Sequence, residues 1–307
     1  MKKILITGGA GFIGRNFIHS LSKDERDFEI TVIDNESLGK EQDIEHEIKN
    51  FISSDLSGKQ YYDLIDRDYD YIIHLAAFTR VVDSISNPDL LFSNNVMASY
   101  NLMDLCRRRN IKNLIIASTG GAIIGETDSL ISEDSFPQPI SPYGASKLAV
   151  ESMGHSYNEC YGMNISCLRF SNVYGPRSNR KESVVARFLK TILSGKNINI
   201  YGDGNQERDY IFVEDVVRGI NLVMAQKKKG VFQLSTGTTT SVNKLINIIQ
   251  EVVGSKYDIK VNYLDSIKGE IYKTSFNNSK ARREIGFKTE IDLYEGIEKT
   301  WNWLKQN

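Results

Sequence analysis

Short apolar runs rich in β-branched residues alternate with longer segments of helical period through the first half of the chain. Such runs, bounded by turn residues, predict strands buried on both faces, and the segments between them are long enough for crossover helices. The predicted strands are residues 3–7, 29–33, 50–53, 71–74, 113–117 and 164–169, and the predicted helices are residues 12–21, 87–109 and 143–161. Repeated strand–helix–strand units predict an α/β fold with a doubly wound parallel sheet.

The pattern is less regular in the second half. It predicts helices at 184–193, 214–225, 242–253 and 293–304, and strands at 197–201, 231–235 and 260–263. The apolar run at 231–235 is predicted to return to the main sheet. We therefore expect a larger domain at 1–170, with a return near 210–235, and a smaller, interleaved domain at 171–307.

Composition limits the possible partners. The 307 residues carry 38 basic and 39 acidic side chains, a formal net charge of −1, which argues against a nucleic-acid or anionic-membrane surface. Three cysteines make a disulfide framework unexpected, and no apolar stretch is long enough for a membrane span or a signal peptide. These features predict a cytoplasmic protein that acts on a small molecule.

A glycine-rich turn, TGGAGFIG, follows the first predicted strand and places Gly8, Gly11 and Gly14 three residues apart. Glycines here let backbone N–H groups approach a pyrophosphate at the helix start, although the turn alone could be structural. Asp34 ends the second strand about 20 residues later, where a carboxylate accepts ribose hydroxyls and repels a 2′-phosphate. This arrangement favours NAD over NADP. Asp55, after the third strand, is either an adenine neighbour or a turn aspartate.

Tyr143 and Lys147 lie four residues apart in the predicted helix that follows the fifth strand. A YxxxK pattern is common by chance, but this one follows a strand whose carboxyl end carries Ser118 and Thr119, and ligands of open α/β sheets bind at that edge. A tyrosine can serve as a base towards a hydroxyl if its pKa falls from about 10 to near 7, a cost of about 4 kcal/mol. One ammonium about 4 Å away supplies roughly that amount, so Lys147, assisted by the positive charge of the nicotinamide, is a sufficient cause in principle. Thr119 is favoured over Ser118 as the group that bonds the reacting oxygen.

Several motifs together resemble one family: TGGAGFIG, Asp34-Asn35, HLAA at 74–77, STGG, YGASK, RFSNVYGP and YGDGNQERDYIFVEDVV. The chain resembles the extended short-chain dehydrogenases/reductases, specifically the NAD-dependent sugar-nucleotide epimerases and dehydratases. The resemblance implies a Rossmann domain that binds NAD, a second domain that binds a sugar nucleotide, a homodimer, and transient oxidation of a sugar hydroxyl.

The resemblance also implies site residues. The catalytic residues would be Thr119, Tyr143 and Lys147. The NAD-binding residues would be Gly8, Gly11, Phe12, Ile13, Gly14, Asp34, Asn35, Asp55, Leu56, Leu75, Ala76, Ala77 and Asn94, together with Tyr143 and Lys147. The substrate-binding residues would be Thr119, Asn172, Val184, Tyr201, Arg208 and Thr274. No spacing of histidines and cysteines suggests a metal, and His74 is expected to be a packed residue.

Within that family, the residues after the catalytic threonine distinguish the reactions. Dehydratases carry an acidic pair there, whereas this chain has Gly120 and Gly121, which cannot transfer protons. We therefore expect a nucleotide-sugar 4-epimerase. The alternatives are a 4,6-dehydratase or other NAD-dependent oxidoreductase, and an NAD-binding protein without catalytic activity.

Three departures from the family pattern concern the sugar nucleotide. Ile124 replaces a common tyrosine, Arg80 replaces a small polar residue, and Ile267 stands where an arginine often binds the diphosphate. Either Lys268 substitutes for that arginine or the leaving nucleotide differs. Thr274 falls at a position that is bulky in strict hexose epimerases, and its small side chain points to a hexosamine substrate.

Overall fold

The computed structural model describes residues 1–23, 28–65, 68–181, 183–266 and 271–307. The strands are β1 (Lys2–Thr7), β2 (Phe28–Asp34), β3 (Asn50–Ser53), β4 (Tyr71–His74), β5 (Asn113–Thr119), β6 (Asn164–Phe170), β7 (Asn172–Tyr174), β8 (Ile198–Tyr201), β9 (Glu207–Arg208), β10 (Tyr210–Phe212), β11 (Gly230–Leu234), β12 (Thr240–Ser241) and β13 (Val261–Leu264).

The helices are α1 (Phe12–Ser22), α2 (Val81–Ser86), α3 (Pro88–Leu91), α4 (Ala98–Arg108), α5 (Gly121–Ile124), α6 (Pro142–Tyr161), α7 (Val184–Leu193), α8 (Val213–Gln226), α9 (Val242–Val253), α10 (Ser279–Ile285) and α11 (Leu293–Gln306). A π-helical segment, Phe92–Met97, joins α3 to α4 without a break, and short 3₁₀ turns lie at Glu41–Asp43, Glu45–Glu47 and Gln60–Tyr62.

Seven parallel strands form the main sheet in the order β11-β6-β5-β4-β1-β2-β3. Strand order reverses between β1 and β4, and ligands of such sheets bind outside the carboxyl ends at this switch point. The central strand β4 is buried along its whole length, as expected for a parallel sheet covered on both faces. The predicted doubly wound α/β fold is confirmed.

Two hydrophobic clusters lie on the two faces of this sheet, one under α1 and α8 and the other under α4 and α6. A third cluster packs α7, α9 and α11 against β8 and β10 in the second half of the chain. Separate cores are typical of a two-part molecule, and the division at residue 170 stays a prediction. No helix in the described ranges is long and apolar enough to cross a membrane.

Candidate active site

The glycine turn between β1 and α1 is in close contact with the loop that follows β4. Gly8 has φ +68°, and a Cβ placed on it would lie 2.5 Å from the backbone nitrogen of Ala76. A Cβ on Gly14 would lie 2.5 Å from the carbonyl oxygen of Gly9. The predicted cofactor residues Leu75 and Ala76 therefore border the turn, with Ala77 the next residue of the same loop, and only glycine at position 8 allows that approach.

The start of α1 leaves room for a phosphate. A Cβ on Gly11 would meet only one atom within 4 Å, the carbonyl oxygen of Gly8 at 3.1 Å. Phe12 and Ile13 form the first turn, and the first N–H groups of a helix have no intrahelical acceptor. These donors and the positive helix end fit a dinucleotide pyrophosphate.

The ends of β2 and β3 carry the acids predicted for the adenosine part. The Asp34 carboxylate accepts hydrogen bonds from the backbone N–H groups of Ala10 at 3.0 Å and Glu36 at 2.9 Å. Asn35 donates to the Asp55 carboxylate at 3.0 Å, which links the two strand ends. Burial raises the pKa of Asp34, and the two N–H donors oppose that shift. Free lone pairs on these carboxylates fit ribose hydroxyls.

Asn101, which the sequence analysis did not single out, holds the loop that follows β3. Asn101, buried in α4, donates from its side-chain amide to the carbonyl oxygens of Leu56, Ser57 and Gly58 at 2.9 to 3.3 Å. The Leu56 side chain is buried beneath this loop. A polar residue at an apolar position of an amphipathic helix was the only signal in the sequence for this contact.

The side chain of Asn95, and not that of its neighbour Asn94, links the loop that follows β4 to α6. The side chain of Asn95 donates to the Phe78 carbonyl at 3.0 Å and the Ser146 hydroxyl at 3.1 Å, and accepts from the Phe78 N–H at 2.8 Å. Asn94, the predicted cofactor residue, donates to the Leu90 carbonyl within its own helix at 2.9 Å. The π-helical segment that contains both residues has no sequence signal, although such segments often occur at functional sites.

The carboxyl end of β5 presents Ser118 and Thr119 to opposite faces of the sheet. The Ser118 hydroxyl donates to the buried Glu151 carboxylate at 2.6 Å, so it has a structural partner. Thr119, at the last position of the strand, is partly exposed. This difference supports the choice of Thr119 over Ser118.

The first turn of α6 places Tyr143 beside the segment that follows Thr119. Ser141 caps the helix by accepting the N–H of Gly144 at 3.2 Å, and proline occupies the first helical position. A Cβ on Gly144 would lie 1.9 Å from the carbonyl oxygen of Ala122, so the two backbones touch. The segment that follows Thr119 thus packs against the first turn of α6, which carries Tyr143.

The pKa values of Tyr143 and Lys147 both reflect the burial of their charged forms. Burial raises the pKa of Tyr143 to about 12. The Lys147 ammonium donates to the Ala117 carbonyl oxygen at 2.9 Å, and burial lowers the pKa of Lys147 to about 8. A lowering of the Tyr143 pKa by Lys147, assisted by the positive charge of the nicotinamide, stays a prediction.

The two glycines after Thr119 are packed against distant parts of the chain. A Cβ on Gly120 would lie 2.2 Å from Gln233 Oε1 and 2.7 Å from Phe276 Cε1. A Cβ on Gly121 would lie 3.3 Å from Thr274 Cγ2. Thr274 therefore borders the segment that follows Thr119, and its buried hydroxyl has no hydrogen-bond partner among the described residues.

Three substrate residues predicted from the second half lie in one region. Asn172 donates from its N–H and its side-chain amide to the Asp209 carbonyl, at 3.0 and 3.1 Å. Arg208, the residue before Asp209, donates to the Tyr272 carbonyl at 2.9 Å. The N–H of Thr274 donates to the carbonyl of the residue before Arg208, Glu207, at 3.1 Å.

The other two predicted substrate residues lie on α7 and β8. Val184 lies in the first turn of α7, and the half-exposed Tyr201 ends β8. Tyr201 borders a surface groove of about 140 Å³, which Arg187 and Phe188 also line.

A model of the NAD dependent epimerase/dehydratase family matches residues 4–235, more than half of the chain. The chain belongs to this family. NAD is the cofactor on which the family depends, and the glycine turn and the strand-end acids fit it.

Named relatives span nearly the whole chain. A UDP-glucuronate 4-epimerase from Thermodesulfobacterium geofontis is 31% identical over 317 residues, covering 99% of this chain and 96% of the relative. The UDP-glucose 4-epimerase of Thermotoga maritima, solved with UDP-glucose, is 34% identical with a TM-score of 0.92 and 99% coverage of both chains. The UDP-N-acetylglucosamine 4-epimerase of Methanobrevibacter ruminantium, solved with UDP-N-acetylmuramic acid, is 33% identical with a TM-score of 0.91, covering 99% of this chain and 98% of that one.

The departures from the family pattern have different structural settings. Ile124 is buried in a small cluster with Ile123, Ile131 and Phe276, so it packs under the site. Arg80 is largely exposed and pairs with Asp83 at 3.2 Å. Ile267 and Lys268 lie outside the described residues. Among the described residues, no group of three or more His, Cys, Asp or Glu side chains is placed so that it could hold a metal ion.

Proposed function

We propose that the protein is an NAD-dependent nucleoside-diphosphate-sugar 4-epimerase. The observation that carries the proposal is the close packing of Gly120 against Gln233 and Phe276, directly after Thr119, in a segment that packs on the first turn of the helix that carries Tyr143. This geometry supplies a base and a hydroxyl for the sugar oxygen but leaves no space for a carboxylate at position 120. Epimerisation at a carbinol carbon needs no such carboxylate.

Each side chain of the site has one role in this reaction. Bound NAD would supply the hydride acceptor, and afterwards the hydride donor, for C4 of the sugar. Tyr143 takes the proton of the 4-hydroxyl on its phenol oxygen, and Thr119 holds the sugar oxygen by a hydrogen bond. Lys147, with the positive charge of the bound cofactor, must lower the pKa of Tyr143 from about 12 to near neutral, at about 1.4 kcal/mol for each unit.

The substrate class follows from the second half of the chain. Arg208 and Asn172 offer a cation and an amide to a diphosphate, which suits a nucleoside-diphosphate sugar. Thr274 presents a small side chain beside Gly121, and this supports a sugar ring with an added N-acetyl group. We therefore place UDP-N-acetylhexosamines beside UDP-hexoses as candidate substrates.

The test is a panel of nucleotide sugars incubated with the purified protein in deuterated water and followed by NMR. We expect interconversion of 4-epimers with no solvent deuterium in the product, because the hydride returns directly. Tyr143→Phe should reduce the rate by at least about a hundredfold while the protein still holds NAD. Solvent deuterium in the product would contradict direct hydride return.

The same experiment separates the alternatives. A 4-keto-6-deoxy product would identify a 4,6-dehydratase, and stoichiometric consumption of NAD would identify a simple oxidoreductase. Full biological activity of the Tyr143→Phe protein would favour a non-catalytic NAD-binding protein.

We also propose a homodimer. The region from α2 to α4 exposes a group of large apolar side chains, which is unusual for a monomer. The exposed residues are Val82, Ile85, Leu90, Phe92, Met97 and Tyr100. Sedimentation equilibrium should give twice the chain mass, and Phe92→Asp should shift it toward the monomer. A wild-type monomer at micromolar concentration would contradict the dimer.

A further inference from the structure

A buried ion pair lies directly behind the catalytic strand. The Glu151 and Arg169 side chains are each only 5% exposed, and Arg169 Nη2 donates to Glu151 Oε2 at 2.8 Å. The Arg169 Nε atom also donates to both carboxylate oxygens, at 3.0 and 3.2 Å. Burying two charges is costly, and such a pair often contributes little to stability compared with apolar residues. Stability alone therefore does not account for this ion pair.

Two side chains of one helix face hold the end of β5. Lys147 and Glu151 lie four residues apart on α6, so they share a helix face. The Lys147 ammonium donates to the carbonyl of Ala117 at 2.9 Å, and Glu151 accepts the hydroxyl of Ser118 at 2.6 Å. Thr119 is the next residue along β5. The helix that carries Tyr143 therefore determines the position of the strand end that carries Thr119.

A hydrogen bond from Gln233 connects the ion pair to the segment that contains Gly120. The carbonyl of Arg169 accepts the side-chain amide of Gln233 at 2.9 Å. Gln233 Oε1 is the atom that closes the space beside Gly120. Arg169 also donates to the Ser132 carbonyl at 3.3 Å. One network thus joins α6, β5, β6 and β11 around the catalytic threonine.

The carboxylate that interacts electrostatically with Lys147 is Glu151 of α6. His74 from β4 and Cys167 from β6 are the other titratable groups that interact with Lys147. Burial raises the pKa of the Cys167 thiol and lowers that of His74 to about 3, so both are neutral. The charge of Glu151 opposes the burial that lowers the pKa of Lys147.

We propose that the Glu151–Arg169 ion pair is a positioning element for the epimerase reaction: Glu151 faces the Lys147 ammonium with a fixed negative charge and holds the end of β5 through Ser118. Arg169 pairs with Glu151 in this buried environment. The pair acts on Lys147 through the charge of Glu151 and on Thr119 through Ser118. This role rests on the function proposed above.

The charge is tested by titrating Lys147 in the full protein. Lysine labelled with ¹³C at Cε gives an NMR signal for Lys147, assigned by its loss in Lys147→Met. We expect Glu151→Gln to lower the titration midpoint by about one pH unit, and Glu151→Asp to restore most of it. Glu151→Gln leaves Arg169 unpaired, so the double variant Glu151→Gln/Arg169→Gln provides a form with no unpaired charge. The titration midpoint of Lys147 should fall in this double variant as well.

Asp215→Asn is the matched control, since Asp215 is a fully buried carboxylate that pairs with Arg218 at 2.6 Å on α8, away from Lys147. A Lys147 midpoint that stays unchanged in the double variant, or that shifts as far in Asp215→Asn, would overturn the role of the charge.

The hold on β5 is tested with Ser118→Ala, which leaves the ion pair intact. We expect kcat to fall by about tenfold with the Lys147 midpoint and the NAD content unchanged, and Ser118→Thr to recover the loss. An unchanged kcat in Ser118→Ala would overturn this part. The Lys147 titration needs no substrate, so an inactive wild-type protein would refute the epimerase function without deciding the ion pair's role.

Discussion

His74 illustrates how a titratable residue at the cofactor edge serves structure. Ser99 donates its hydroxyl hydrogen to the Asn95 carbonyl at 2.6 Å, so it accepts from His74 Nε2–H at 2.9 Å. His74 Nδ1 then accepts the Thr7 hydroxyl at 2.7 Å. Both ring nitrogens are used, which confirms the expectation of a packed residue. Burial, together with the Lys147 charge, lowers the pKa of His74 to about 3.

We expect this neutral histidine to make the protein less stable in acid. The unfolded chain binds a proton at a pKa of about 6.5 and the folded chain only near 3, so stability is full above pH 6.5 and is lost as the pH falls. The contribution is up to about 1.4 kcal/mol for each pH unit. Urea unfolding between pH 6.5 and 4 should show a shallower loss for His74→Asn than for wild type. The exposed His155 gives the control, and equal slopes for His74→Asn and wild type would contradict the buried neutral ring.

Sequence periodicity predicted elements far better than it predicted their contacts. The helix at Val184–Leu193 and the strand at Asn50–Ser53 have the predicted bounds, because amphipathic spacing and apolar runs are local signals. The two-residue strands β9 and β12 have no local signal, since a pairing as short as Arg208 with Thr240 depends on distant chain. For the same reason the motifs located Thr119 and Tyr143 but not the Glu151–Arg169 pair behind them.

The turn from β5 into α5 should tolerate no side chain at its first glycine. Gly120→Ala forces a methyl group against Gln233 and Phe276, and we expect the free energy of unfolding to fall by about 1 to 3 kcal/mol. Gly121→Ala, whose methyl group would meet Thr274 Cγ2 at 3.3 Å, should cost less. The check is urea denaturation, with Gln233→Ala as a third variant. The double variant Gly120→Ala/Gln233→Ala should lose less stability than the two single losses added together, and strict additivity would argue against the contact.

At the scale of the whole molecule, one loop joins the second half of the chain to the cofactor side of the first. The loop 175–181 after β7 accepts hydrogen bonds from Arg15 at the Arg177 carbonyl and from Asn16 at the Pro176 carbonyl, at 2.6 and 3.0 Å. Arg180 of this loop pairs with Asp43, which also pairs with Arg15 at 3.4 Å. Three arginines therefore converge near α1.

This junction lies against the glycine turn. A Cβ on Gly39 would lie 1.8 Å from the carbonyl of Ala10, so the segment between Asp34 and Asp43 packs directly on the turn. We expect release of NAD to require movement of that segment, which the ion pairs of Asp43 oppose. The loop 175–181 would then link the second half of the chain to retention of NAD.

Asp43→Asn should consequently release NAD faster. We expect roughly a fivefold increase in the dissociation rate at low ionic strength, measured by trapping freed NAD with a coupled dehydrogenase. Because the Arg180–Asp43 pair is partly exposed, salt should accelerate release from wild type and narrow the difference. Glu159→Gln removes a carboxylate from the surface pair with Lys229, at 3.2 Å, and should leave the rate unchanged. Equal release from Asp43→Asn and Glu159→Gln would show that the junction does not retain the cofactor.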